Sequence, residues 1–306
     1  MIEAENLTKK FGDLVAVDNL KLNVKEGEAF GLLGPNGAGK TTTVRMLCCL
    51  ISATSGNARV AGYETNDKKD ALKIRRVIGF VPDNVGLYDK LTAYENLEYY
   101  GKLYKHPESR TKENIERLLK MLDLWDKRNI AAGTFSKGMK QKLALARSLV
   151  HDPQVLFMDE PTANLDPEAS KMVRDFIIEL KKEKRTIFLN THNLDEAQKI
   201  CDRIGIMNAT LRALGTPEEL VYSIGTRKTV IQLEEINGTI LNAVEKIASG
   251  EVTTDHHNLI IGLTQPLKEN PAIVRAIVDA GGNIKTVSIS SPTLEDAYLK
   301  LVRKQR

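Results

Sequence analysis

The stretch GPNGAGKTT, Gly34 to Thr42, satisfies the spacing G-x-x-x-x-G-K-[ST] between a predicted buried strand and a predicted helix. Gly34, Gly37 and Gly39, with Pro35, Asn36 and Ala38 between them, let consecutive backbone N–H groups curl around a phosphate. Lys40 is placed to bridge the β- and γ-phosphates of a nucleotide, and Thr41, next to Thr42, to offer its hydroxyl to Mg²⁺. Further on, VLFMDEP reads as a buried strand with Asp159 at its carboxyl end, positioned to hold Mg²⁺ through water. Glu160 beside it is a candidate general base for an attacking water. Alone, two adjacent acids at a strand end make an ordinary surface turn; the phosphate loop upstream gives this pair a task. Between them lies TFSKGMKQK, residues 134 to 142, where Ser136, Lys137 and Gly138 open an apolar-periodic run. A hydroxyl at a helix start, with exposed N–H groups behind it, is a second anion site.

These residues need a scaffold of alternating strands and helices. Apolar residues alternate at Leu20, Leu22 and Val24, and a continuous apolar run at Phe30 to Leu33 feeds the glycine-rich turn. KTTTVRMLCCLI has helical periodicity, and RVIGFVP reads as a strand ending in proline. Two or three helices are expected between Thr92 and Asn129, within a helical insert at about 84–150. Then come the strand QVLFMDE, a helix over Pro167 to Lys184, the strand TIFLNT and a helix from about Asn193. This alternation predicts a mostly parallel sheet. From about Gly225 the order becomes βαββαβ with a closing helix TLEDAYLKLV, that of a small α+β ferredoxin-like sandwich. The expected domains are 1–224 and 225–306.

The phosphate loop, FSKGMKQ, VLFMDEPTANLD and NTHNLDEA, in this order, resemble the ATP-binding cassette of ABC transporters over residues 2 to about 224. The resemblance implies an α/β P-loop NTPase cassette with a mixed sheet core, a helical subdomain and an N-terminal antiparallel β part. It also implies an ATPase that uses ATP and Mg²⁺. In that family the stretch matched by Ser136, Lys137 and Gly138 caps the γ-phosphate of ATP held on the other subunit. Two copies, head to tail, then complete two sites. Phe11 matches the aromatic that stacks on adenine; a core aromatic at a strand end is the other reading. His192 matches the histidine that contacts the γ-phosphate and joins Glu160 and Lys40 in the catalytic set. Asp166 matches the aspartate of the loop that touches the opposing subunit.

Several positions depart from the family. Asp83 stands where a glutamine usually reaches Mg²⁺ and the attacking water, adding a shorter, charged metal ligand. Lys137 and Met139 replace a glycine and a glutamine, and Ala163 and Asn164 replace a serine and a glycine before Asp166. FSKGMKQ, GLYDKLTAYENL and SPTLEDAYLKL together resemble the ATPase subunits of exporters, which carry a small C-terminal domain. The expected partners are a second cassette and an integral-membrane permease, with no nucleic acid. A soluble ATPase of the same superfamily, acting in translation or DNA repair, is the alternative. It lacks support from the long coiled-coil insertion or the second cassette those members carry.

Composition agrees with a cytoplasmic protein, and the resemblance implies a place on the cytoplasmic face of the cell membrane. The chain has 306 residues, 42% hydrophobic and 27% charged, enough for two domains. Apolar runs such as VLFM and LIIGL are far too short to span a bilayer, and MIEAENLTKKFG has no apolar signal region. Cys48, Cys49 and Cys201 fit neither a disulfide framework nor a zinc spacing. The net charge of +4 is spread among acids, so the basic runs KKEKR and VRKQR read as solvated faces. DHHN, residues 255 to 258, reads as a solvated turn in preference to a metal site.

Overall fold

In the computed structural model, which describes residues 1–224, 228–263, 266–290 and 292–303, the chain divides into two compact units, Met1–Pro217 together with the described end of the chain from Leu301, and Glu218–Lys300. The boundary expected at 225 falls at residues 225–227, outside the described residues.

The first unit opens with the antiparallel strands β1 (Ile2–Phe11) and β2 (Leu14–Val24). Leu20, Leu22 and Val24 are buried in alternation, as their spacing predicts. After β3 (Ala29–Leu33), every residue of which is buried, the glycine-rich loop leads into α1 (Lys40–Leu47). Strands β4 (Ser55–Val60) and β5 (Tyr63–Glu64) join the hairpin in a four-stranded sheet of order β2-β1-β4-β5. Next come α2 (Lys68–Val77) and β6 (Ile78–Val81).

Helices α3 (Ala93–Leu103), α4 (Glu108–Met121) and α5 (Lys137–Leu149) pack on one another. Thr92 and Glu95 form a reciprocal capping box at the start of α3. Then follow β7 (Val155–Asp159), α6 (Pro167–Lys182), β8 (Thr186–Thr191), α7 (Leu194–Ile200), and the antiparallel pair β9 (Arg203–Asn208) and β10 (Thr210–Gly215). The central six-stranded sheet has the order β10-β9-β3-β8-β7-β6, parallel apart from β10. Strands β7 and β8 are buried along their full length, so their apolar residues run consecutively, Val155–Met158 in β7 and Ile187–Leu189 in β8. The mixed core, the helical part and the N-terminal antiparallel sheet follow the expected cassette.

The second unit takes in α8 (Pro217–Tyr222) from Glu218 on, then β11 (Lys228–Leu233), α9 (Gly238–Glu245), β12 (Val252–Asp255), β13 (Asn258–Gly262), α10 (Pro266–Asp279), β14 (Ile284–Ser290) and α11 (Leu294–Arg303) as far as Lys300. Its sheet is antiparallel, of order β12-β13-β11-β14, the arrangement of a split βαββαβ unit. Ile231, Leu233, Ile240, Val244, Leu259, Ile261, Ile273 and Ile277 make a core of its own. DHHN is the turn between β12 and β13; the His256 side chain is 90% exposed beside Asp255, a solvated turn. Among the described residues no helix is long and apolar enough to cross a membrane.

Candidate functional site

Two glycines let the phosphate loop lie where it does. A Cβ on Gly34 would sit 2.3 Å from the Met207 carbonyl oxygen, and one on Gly39, at φ +91°, would sit 2.2 Å from that of Ala16. The loop is thus wedged between β2 and β9, and only bare backbone fits. Lys40, buried at the first position of α1, donates from Nζ to the carbonyls of Gly34 at 2.7 Å and Pro35 at 3.1 Å. Burial lowers the pKa of its ammonium group, and the charges of Glu160 and Asp159 pull it back up. Behind it Thr43 donates to the Gly39 carbonyl at 2.9 Å, and Ala209 N donates to the Ala38 carbonyl at 3.0 Å, fixing the loop to the strand ends. Thr41 and Thr42 follow in the first turn of α1, both half-buried, while Asn36 and Gly37 are exposed at the loop tip.

The parallel register of β7 and β8 pairs Asp159 with Asn190 and so delivers the next residues of both strands to one place. Asp159 is buried; its Oδ1 lies 3.3 Å from the Thr41 hydroxyl and also accepts from the Asn190 amide. Burial raises the Asp159 pKa, the two hydrogen bonds oppose this, and the nearby charges of Asp83 and Glu160 add to it. Glu160 turns away at a left-handed φ of +52°, its N–H donating to the Asn190 carbonyl at 2.8 Å. A non-glycine residue in this region carries backbone strain, a feature that gathers at functional sites. Its Oε2 is 2.8 Å from His192 Nδ1; the glutamate side chain is 19% exposed and the histidine 62%. Asp83, exposed just past β6, accepts from Asn84 N at 2.8 Å.

Among the described residues no cluster of three or more His, Cys, Asp or Glu side chains could hold a metal ion by itself. Mg²⁺ beside a nucleotide needs no such cage, since one or two protein oxygens plus phosphates and water complete its octahedron. The adjacent Thr41 hydroxyl and Asp159 carboxylate suit that role, and the buried Asn190 Oδ1 beside them has no hydrogen-bond partner.

A second cluster lies apart. Ser136 caps α5, its Oγ accepting from Met139 N at 3.3 Å, and Asp166 caps α6, its Oδ1 accepting from Ala169 N at 2.9 Å. Gly138 is buried between these helix starts: a Cβ there would lie 2.8 Å from that of Ala169. Ser136, Gly138, Lys142, Asp166 and Glu168 line one open cleft, with Lys137 exposed beside it. No side-chain hydrogen bond or ion pair joins this cluster to Lys40, Asp159 or Glu160 among the described residues.

Phe11 is 50% exposed at the end of β1, with Lys9 Nζ 5.0 Å from its ring centroid, so it is no core residue. Its hairpin partner β2 carries Ala16 and Val17 against Gly39. Sequence reasoning passed over Asn190, Lys142 and Glu196. Lys142 is buried in the cleft, where burial lowers its pKa against the charges of Asp123, Glu168 and Asp166. Glu196, fully buried, accepts from the Thr191 hydroxyl at 2.8 Å and anchors the turn that carries His192. The detectable signal for Asn190 is an amide directly after the apolar run Ile187–Leu189 of a fully buried strand.

The family described as ABC transporter matches residues 17–163. The linearmycin resistance ATP-binding protein LnrL of Bacillus subtilis (strain 168) is 34% identical, the match covering 98% of this chain and 98% of that protein. The bacitracin transport ATP-binding protein BcrA of Bacillus licheniformis is also 34% identical, over 99% of this chain and 97% of its own length. Both matches therefore run through the second unit. A solved dimeric structure of an ATP-binding cassette in a post-hydrolysis state, bound to ADP and Pi, is similar with a TM-score of 0.64 at 30% identity, covering 71% of this chain and 98% of that one. These findings give the translation or DNA-repair alternative no support.

Proposed function

The chain belongs to the ABC transporter family as an ATP-hydrolysing subunit, and on that premise we propose how its residues divide the work. The subunit uses ATP with Mg²⁺, pairs with a second cassette and drives a separate membrane permease. In our reading Phe11 stacks on the adenine, and the N–H groups of Gly34 to Thr42 with Lys40 grip the β- and γ-phosphates. Thr41 and Asp159 would hold Mg²⁺, with Asp83 a further candidate ligand. The ion, when bound, neutralises charge developing on the phosphate oxygens. Glu160 takes a proton from the water whose oxygen attacks the γ-phosphorus as the bond to the β-phosphate oxygen breaks and ADP leaves. His192, hydrogen-bonded to Glu160, orients that carboxylate and reaches the γ-phosphate.

Ser136, Lys137 and Gly138 serve the partner's ATP, and Asp166 meets the partner beside them. The separation of the capped Ser136–Asp166 cleft from the Lys40–Asp159–Glu160–His192 cluster is the observation that supports this reading, since a second copy would be needed to bring one cluster to the other. We further assign the subunit to the cytoplasmic face of the membrane and to export of antibiotic-like compounds, the cargo class in the names of its relatives LnrL and BcrA. The domain division at about residue 225 is part of the same proposal.

The solution mass of the Glu160→Gln chain, with and without ATP and Mg²⁺, tests this. An ATP-dependent dimer that Ser136→Arg abolishes is expected. An ATP-dependent dimer indifferent to that arginine would remove Ser136 from the partner's site.

A further inference from the structure

The second unit leaves one long edge of its sheet unpaired. Among the described residues β14 bonds only to β11, and six of its seven residues, Lys285 to Ser290, are exposed. The opposite edge, β12, has four residues and ends on Asp255, a short charged edge of the kind that discourages pairing. β14 reads IKTVSIS: β-branched residues at four of its positions, no acid, and a single charge at Lys285. Val287 and Ile289 pair with the buried Ile231 and Thr229 of β11, so they continue the core face of the sheet to its rim. There they remain 41% and 40% exposed. Such a strand offers a row of backbone donors and acceptors with an apolar fringe, a template for another strand.

We propose that β14 pairs antiparallel with β14 of a second copy about a two-fold axis at Ser288, joining two four-stranded sheets into one. In this register Val287 of each chain lies opposite Ile289 of the other, two apolar cross-strand pairs on the face that carries the helices. Ser288 meets itself, Thr286 meets Ser290, and the two lysines stay apart instead of facing each other. Isologous pairing of this kind is the commonest symmetry among homo-oligomers. The second copy is the occupant because the strand is self-complementary and because the working subunit is already one of a pair. Once two copies are held together elsewhere, even a weak edge contact acts at high effective concentration.

The contact needs no nucleotide, so it can be tested apart from the ATP-dependent dimer. The full chain carrying Lys40→Ala is studied by sedimentation without ATP. A concentration-dependent dimer is expected, weakened about tenfold or more by Val287→Lys with Ile289→Lys, which set like charges opposite each other. In the same background Ser288→Cys should form an oxidative cross-link between copies, and Thr253→Cys on the β12 edge should not. If the charged variant loses its folded far-UV spectrum, the cross-linking pair decides. A chain that stays monomeric, with Ser288→Cys no more readily linked than Thr253→Cys, would overturn the proposal. So would linkage of Ser288→Cys to the permease in place of a second copy when membranes are supplied.

Discussion

Glu28, Lys40, Lys142, Arg147, Asp159 and Glu196 are all ionisable side chains buried in the first unit, whereas Thr229 is the one buried polar residue of the second among the described residues. The first unit withdraws charge from water and arranges it against loop carbonyls, hydroxyls and an amide. The second buries Ile, Leu and Val and leaves its charges outside. Buried ionisable groups cost stability unless they are paired, so a fold keeps them where they act. The contrast teaches that the buried charge lies with the phosphate loop and the acidic strand end in the first unit, while the second is held together by apolar packing.

The sharpest way to break this contrast is Lys40→Ala. Losing its charge-assisted bonds, worth ~3 kcal/mol, should weaken ATP binding about a hundredfold, measured by calorimetric titration. Ordinary affinity would show that the buried charge is structural. Glu160→Gln should keep ATP affinity while hydrolysis falls roughly 100-fold or more in a phosphate-release assay, because a general base is typically worth that much.

Ile277→Ala attacks the other side of the comparison. It should cost the second unit about 2–5 kcal/mol, seen as a lower melting step, while ATP affinity of the first unit stays as it was. A parallel loss of ATP binding would mean that the two units are not separable.

The smallest effect is expected from Glu196→Gln. Burial raises the Glu196 pKa against the hydrogen bond from Thr191. The folded state therefore holds this proton more tightly than the unfolded chain. Stability is present below the unfolded carboxylate value and is lost as pH rises through the folded one. The glutamine variant should melt a few degrees higher above that window and lose the pH slope within it, measured by calorimetry across a pH series.

How much of this could be read beforehand varies with how local the signal is. Strand β8 coincides with TIFLNT, a short buried run, and α6 begins at Pro167 as predicted, because helical periodicity follows it without a break. Strand β1 went unread: its register shifts after Ala4, around Asn6 at φ +50°, break the two-residue alternation that would have announced it. Neither β9 nor β10 was read, the first being a short apolar run holding Gly205 and the second carrying Arg212. Lys40, Asp159 and Glu160 were legible because the phosphate loop and the acidic strand end are contiguous in sequence. Asn190 was not, because its role exists only in the pairing of β7 with β8. Lys142 likewise matters only once α5 and α6 start side by side.

The proposed division of each ATP site between Lys40 of one chain and Ser136 of the other has a genetic consequence. In a mixed dimer of a Lys40→Ala chain with a Ser136→Arg chain, one composite site inherits both lesions and the other inherits neither. Two alleles that are each inactive alone should therefore complement one another when co-expressed, restoring a single working site. Placing both lesions in one chain and none in its partner leaves each site with one defect, so the same pair of mutations in cis should behave as a dominant poison.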